Sequence, residues 1–154
     1  MNLKDFIRSI QDYPKKGILF RDITTLIKDE KAFTETINQI VERSKKFSFN
    51  KIAAIESRGF VFASAISYIL KKPFILLRKK NKLPADVHSV DFKLEYGTAT
   101  IEVHKDSIDK NDSVLIIDDL IATGGTAEAA AKLIEISGGK VSAFIFVINL
   151  FDLE

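Results

Sequence analysis

The sequence predicts one α/β domain whose central sheet is mostly parallel and flanked by helices. Three observations carry this. Short apolar runs at residues 51–55, 73–77, 113–117 and 141–150 have the length and the Ile, Leu, Val and Phe content of buried strands. Helical segments at 59–70 and 126–136 lie between them, so the chain alternates strand and helix as βαβ units do. The length, 154 residues, fits one domain at roughly 150 residues per domain.

Taken in order, residues 3–10 carry Leu3, Phe6, Ile7 and Ile10 at the spacing of an amphipathic helix, which Tyr13-Pro14 and Gly17 break. Residues 31–46 predict a second helix, with Phe33, Ile37, Ile40 and Val41 on one face and Asp29 near its start. A buried strand follows at 51–55, an apolar helix at 59–70 and a strand at 73–77. Residues 79–89 are basic, contain Pro84 and lack periodicity, which predicts a long exposed loop. Residues 91–95 and 100–104 alternate around Gly97-Thr98 as a hairpin would. After the strand at 113–117, the Ala-rich helix at 126–136 ends at Gly138-Gly139, and 141–150 is the last strand.

Composition narrows the function classes. With 46% hydrophobic and 29% charged residues the chain is neither disordered nor of low complexity. A net charge of +2 makes no electrostatic case for a nucleic-acid or membrane partner. The absence of cysteine excludes disulfides, thiolate metal sites and cysteine nucleophiles. The longest uncharged stretches, 59–70 and 141–151, fall short of the ~20 residues a membrane-spanning helix needs. The first residues, MNLKDFIRSI, lack a signal-peptide core, so the expectation is a soluble cytoplasmic protein. Arginine is scarce: Arg8, Arg21, Arg43, Arg58 and Arg78 are the five.

Open sheets of this kind bind ligands at the carboxyl ends of their strands. Three such ends are polar here: Glu56-Ser57-Arg58-Gly59, Arg78-Lys79-Lys80, and Asp118-Asp119 on to Thr126. In residues 114–126, VLIIDDLIATGGT, an apolar run meets two acids, and Ala122-Thr123-Gly124-Gly125-Thr126 then opens a helix. Glycines expose consecutive N–H groups, and a helix amino terminus adds unpaired donors and a positive dipole end, which together make an anion site. Thr123 and Thr126 add hydroxyls. The two carboxylates would repel a bare phosphate, but a sugar phosphate resolves the conflict, with its hydroxyls on the acids and its phosphate farther along the loop. A Walker loop would need a lysine beside Gly125, and no dinucleotide G-x-G-x-x-G is present.

IIDDLIATGGT resembles the phosphoribosyl diphosphate (PRPP) signature of the type I phosphoribosyltransferases. Residues 13–24, YPKKGILFRDIT, are similar to the amino-terminal base-binding segment of the adenine phosphoribosyltransferase branch of that family. Glu56-Ser57-Arg58-Gly59-Phe60, residues 78–84 (RKKNKLP) and residues 94–98 (LEYGT) match its other motifs in the same order, so the resemblance spans nearly the whole chain. The PRPP loop marks only the superfamily; the amino-terminal segment with LEYGT marks the adenine enzymes.

The resemblance implies the type I fold as one domain over 1–154, with a small base-binding hood at 1–30 and a flexible catalytic hairpin loop at 79–100 over the site. It implies the purine-salvage reaction of adenine with PRPP, giving AMP and diphosphate with Mg²⁺, in a homodimer without nucleic-acid or membrane partners. Under this reading Asp118 and Asp119 face the ribose hydroxyls, and Ala122, Thr123, Gly124, Gly125 and Thr126 wrap the 5′-phosphate. Ser57, Arg58 and Gly59 form the diphosphate loop, with Arg78, Lys79 and Lys82 as cationic partners and Arg58 and Arg78 acting in catalysis. Some of this charge can serve a neighbouring subunit. Leu19, Phe20 and Arg21 bind adenine. Glu95 is the acid–base group and Tyr96 shapes its loop, while residues 83–90 close over the site and exclude water. No protein metal cluster is expected, Mg²⁺ being carried largely by substrate oxygens and water.

His88 and His104 receive no role. Three features depart from the family pattern: Asn81 where many relatives have glycine, which predicts a stiffer basic loop; Phe92 where a tyrosine is common, so that no hydroxyl acts there; and an end at Glu154 where relatives continue through a Gly-Arg segment. The alternatives are a transferase for another purine base and a non-catalytic PRPP or nucleotide sensor on the same fold. Sensors of that kind usually add a nucleic-acid-binding domain.

Overall fold

The computed structural model describes residues 2–94, 97–119 and 125–147. A 3₁₀ turn at Leu3–Phe6 leads into β1 (Arg8–Gln11), which pairs antiparallel with β2 (Leu19–Asp22). Then follow α1 (Thr24–Ile27), α2 (Glu30–Ser44), β3 (Lys51–Ile55), α3 (Arg58–Leu70), β4 (Phe74–Lys79), β5 (Val87–Leu94), β6 (Gly97–His104), β7 (Ser113–Asp118), α4 (Gly125–Ile136) and β8 (Lys140–Phe146). The central sheet has the order β5-β6-β4-β3-β7-β8. β4, β3, β7 and β8 run parallel, and the β5–β6 hairpin is added antiparallel along β4.

Helices on both faces explain the unbroken apolar runs. Ile52, Ala54, Leu115 and Ile117 pack with Ile37 and Ile40 of α2 and with Phe62, Ala63 and Ile66 of α3. Their strand neighbours Ala53, Ile55, Val114 and Ile116 point the other way, against Ala129, Ala130, Leu133 and Ile134 of α4. Each large aliphatic side chain so buried contributes about 1.5–3 kcal/mol. The helix ends match their sequence signals. The Asp29 carboxylate accepts the Ala32 amide at 2.9 Å at the start of α2, and Gly138 takes a left-handed φ of 102° beyond α4.

Residues 3–10 are not the expected helix. Only one turn forms, and the chain then extends as β1. Leu3, Phe6 and Ile7 still pack on the core, so the spacing reported burial rather than helix. Strand pairing wins because β2 supplies a hydrogen-bonding partner and sets Arg8 opposite Asp22, with Arg8 Nε 2.9 Å from the Asp22 carboxylate. Asp22 also accepts the Thr24 hydroxyl and amide, and these bonds with Arg8 lower its pKa to about 2 despite the cost of burial.

The loop expected over 79–89 is shorter than the sequence suggests, since β5 begins at Val87. Its last residues, including His88 and Ser89, belong to a sheet-edge strand, where alternation is weak. The far side of the turn is held by His104, whose Nε2 accepts the Ala85 amide at 3.2 Å, so this histidine has a structural role the sequence did not suggest. The hairpin ladder runs to Leu94 opposite Gly97, placing Gly97 at φ 118° as the first residue of β6 and not inside the turn. β8 ends at Phe146, and residues 148–150 of the expected last strand lie outside the described residues.

Candidate active site

β3 has β4 on one side and β7 on the other, so the winding of the chain reverses between β3 and β7. A crevice opens at the carboxyl ends of strands at such a point. From β3 it receives Ser57 and the start of α3; from β7 it receives Asp118 and Asp119. Gly59 lets the two approach: a Cβ there would stand 3.1 Å from the Ile117 carbonyl oxygen and 3.2 Å from Asp118 Oδ1. No side chain caps α3 at Ser57, and within its first turn the Phe60 amide bonds the Ser57 carbonyl at 3.1 Å.

Arg58 joins three parts of the chain. Its Nε lies 2.8 Å from Asp119 Oδ2, and its guanidinium carbon is 5.1 Å from the centre of the Phe20 ring. Phe20 also meets Tyr13 edge to face at 5.1 Å. Its neighbours on β2 differ: Leu19 is exposed, and Arg21 Nη1 donates to Ser9 Oγ on β1 at 2.9 Å. The β1–β2 pair therefore meets the end of β7 through Arg58.

Asp118 is the electrostatic outlier. Burial pushes its carboxyl up to about 8, reinforced by the charge of Asp119 and a side-chain bond shared with it. The Asp119 amide, 2.8 Å from Asp118 Oδ1, and the Arg58 charge oppose this without offsetting it.

A second polar cluster surrounds the end of β4. Glu56 accepts the Lys79 amide at 2.6 Å and Arg78 Nε at 3.3 Å. Burial alone would raise its pKa; the Lys79 amide, Arg78 and the charge of Lys82 outweigh it and hold the group below its ordinary value. On β6, opposite Arg78, Glu102 accepts the Ser89 hydroxyl at 2.6 Å and the Asn81 amide at 2.9 Å. Those two bonds, with Lys80, keep its pKa low against burial. Asn81 has a φ of 67°, a region open chiefly to glycine and asparagine, which accounts for the exchange between these residues. Glu56 and Glu102 received no role in the sequence reading. For Glu102 the strand pattern even misleads, because it places the side chain on the polar face.

Gly125 and Thr126 open α4, whereas Glu95, Tyr96, Ala122, Thr123 and Gly124 lie outside the described residues. A cavity of about 230 Å³ separates β5 from α4, lined by Val90, Asp91, Phe92 and Lys93 on one side and Gly125 and Glu128 on the other. Phe92 thus faces α4 as a half-buried ring. Among the described residues no group of three or more His, Asp or Glu side chains could hold a metal ion, and no helix is long and apolar enough to cross a membrane.

Comparison with known proteins places these features in context. The phosphoribosyl transferase domain family matches residues 23–149. An adenine phosphoribosyltransferase of Pelagibacter ubique is 82% identical over 153 residues, covering 99% of this chain and 87% of that protein. The crystal structure of the adenine phosphoribosyltransferase of Thermoanaerobacter pseudethanolicus superposes with a TM-score of 0.91 at 47% identity, over 94% of this chain and 84% of that one. The Saccharomyces cerevisiae enzyme, solved with adenine and an imino-altritol bisphosphate, gives 0.85 at 28% identity, over 97% and 89%.

Proposed function

The chain belongs to the adenine phosphoribosyltransferase family, a purine-salvage transferase family, and from this premise we propose how its residues divide the conversion of adenine and PRPP into AMP and diphosphate. In this reaction the bond from C1′ to the diphosphate oxygen breaks and the bond from C1′ to adenine N9 forms. The proton on N9 leaves to a base, the place we give to Glu95. Asp118 and Asp119 take the ribose hydroxyls. A carboxyl that burial and a neighbouring acid keep short of donors is a ready partner for hydroxyls that supply them. Gly125 and Thr126, with residues 122–124, receive the 5′-phosphate at the amino end of α4.

Departing diphosphate goes to the uncapped start of α3 at Ser57 and Gly59 and to Arg58, Arg78, Lys79 and Lys82, where fixed cations stabilise the charge that develops. Arg58 turns from Asp119 and Phe20 toward that charge, leaving the acid to ribose and the ring face to adenine. Leu19 and Arg21 border the base. Bound Mg²⁺, carried mainly by substrate oxygens and water, would supply charge neutralisation for the diphosphate, which suits a site with acids for the ribose and cations for the diphosphate. The same reading extends to a cytoplasmic homodimer. Val61, Tyr68 and Ile69, exposed on α3, are apolar surface that a second subunit would cover.

The observation that carries the assignment is the meeting of Phe20, Arg58 and Asp119, which brings segments matched to base, diphosphate and ribose to one point. Incubating the purified protein with PRPP, Mg²⁺ and each of adenine, hypoxanthine, guanine and xanthine tests it. AMP and diphosphate form from adenine in preference to the other products. Absence of AMP overturns the reading, and a stronger reaction with another base transfers it to that base.

A further inference from the structure

Four cations, Arg78, Lys79, Lys80 and Lys82, crowd the end of β4 and the turn into β5. Like charges this close repel one another, so a turn carrying them needs its backbone held. Two carboxylates hold it from opposite sides. Glu56 at the end of β3 takes the Lys79 amide, and Glu102 on β6 takes the Asn81 amide together with the Ser89 hydroxyl. Glu102 is only 7% exposed, between Ile101 at 2% and Val103 at 0%. A carboxylate in such a position is costly unless its bonds are made; one comes from Asn81 in the turn that carries the cations, the other from Ser89 on β5. Asn81 spans the turn in its left-handed conformation while its amide meets Glu102.

We propose that Glu102 is a positioning residue for diphosphate: it fixes the basic turn in the form in which Arg78, Lys79 and Lys82 receive the leaving group, without touching the substrate. This rests on the reading of that turn as the diphosphate site. The gain is preorganisation, since donors already in place need no rearrangement as charge develops. The Glu102 carboxylate also offsets the mutual repulsion of the cations while no anion is bound.

Calorimetric titration with magnesium diphosphate, and separately with AMP, tests the proposal on the full chain and on Glu102→Ala, Glu102→Gln and Arg78→Ala. AMP does not use the turn, so it reports any general loss of structure. Glu102→Ala weakens diphosphate binding about tenfold, the worth of one charge-assisted hydrogen bond, and leaves AMP affinity unchanged. Glutamine still accepts from the Asn81 amide and can donate to Ser89, so Glu102→Gln recovers part of the loss, to about threefold, because only the charge is missing. In turnover, KM for PRPP rises in both variants while KM for adenine stays. Should Glu102→Ala fail to fold, Glu102→Gln carries the test alone by the same split between diphosphate and AMP. Equal weakening of both ligands, or no change in either, overturns the positioning role. If Arg78→Ala weakens diphosphate binding and the Glu102 variants do not, only this proposal falls. If Arg78→Ala leaves it unchanged, the diphosphate reading of the turn falls, and the proposal with it.

Discussion

At the amino ends of β3 and β7, Lys51 lies between Asp109 and Asp112; at the carboxyl ends of the same strands, Arg58 lies beside Asp118 and Asp119. Both clusters pair two acids with one cation, yet they treat the acids differently. Lys51 Nζ reaches Asp112 at 2.7 Å, Asp109 at 3.1 Å and the Ser107 carbonyl at 3.1 Å. Asp112 further accepts Asn50 Nδ2 at 2.8 Å and the Asp109 amide at 2.7 Å. Burial would raise the Asp112 pKa, but these bonds outweigh it and the group stays below its ordinary value. At the other end burial and Asp119 prevail, and the Asp118 pKa rises to about 8. The protein surrounds its acids with donors at the end that holds the strands together and leaves one buried acid beside another at the end where we place the ligand.

The strongest way to break this contrast is Lys51→Met. It strands Asp112 in a nearly buried position, at a cost of about 3 kcal/mol, read as a lower urea midpoint. AMP formation by the folded fraction should stay within about twofold, because the cluster lies at the far end of the strands. A comparable fall in turnover would show that the two ends are not separable.

Asp118→Asn works in the opposite direction. Turnover falls about a hundredfold as charge-assisted bonds to ribose are lost, while the ligand-free protein becomes more stable. The sign follows from the pKa. In the folded protein Asp118 keeps its proton from near its ordinary 3.8 up to about 8, whereas the unfolded chain releases it. Wild-type stability therefore falls as pH rises through that window and stays low above it. Asparagine has no proton to lose. The gain in Tm should be about 5–10 °C at pH 9 and vanish toward pH 4; a gain independent of pH would contradict the strained-acid account.

The smallest effect sharpens the comparison within the crevice. Gly59→Ala places a methyl 3.1 Å from the Ile117 carbonyl and 3.2 Å from Asp118. The neighbours must yield by a few tenths of an ångström, which should cost about 1 kcal/mol of stability and raise KM for PRPP about fivefold. Unchanged PRPP kinetics would mean that the approach of α3 to β7 serves packing alone.

Much of the frame was legible in the sequence. β3, β7, α2 and α4 follow from apolar runs of the right length with a capping Asp29 and a terminating Gly138. Asp118 and Asp119 stood out because they follow a buried run at the carboxyl end of a strand and precede a glycine-rich helix start. Residues 3–10 were ambiguous, since their spacing satisfies a helix and also a turn followed by a strand, and only β2 decides between them. The start of β5 was hidden because an edge strand tolerates polar side chains. Glu102 was hidden more deeply: alternation with Ile101 and Val103 assigns it to solvent, and it is buried only because the β4–β5 connection folds across that face.

By itself, the sequence determined the α/β class, the order of most elements and the identity of the strand-end motifs, because these depend on residue types at short spacing. Which acids are paired, that Arg58 rests on Asp119 and Phe20, and that Glu102 supports the basic turn were decided by tertiary structure alone. The reason is electrostatic: a carboxylate's energy is set by the donors and charges within a few ångströms, and here those come from strands and loops distant along the chain.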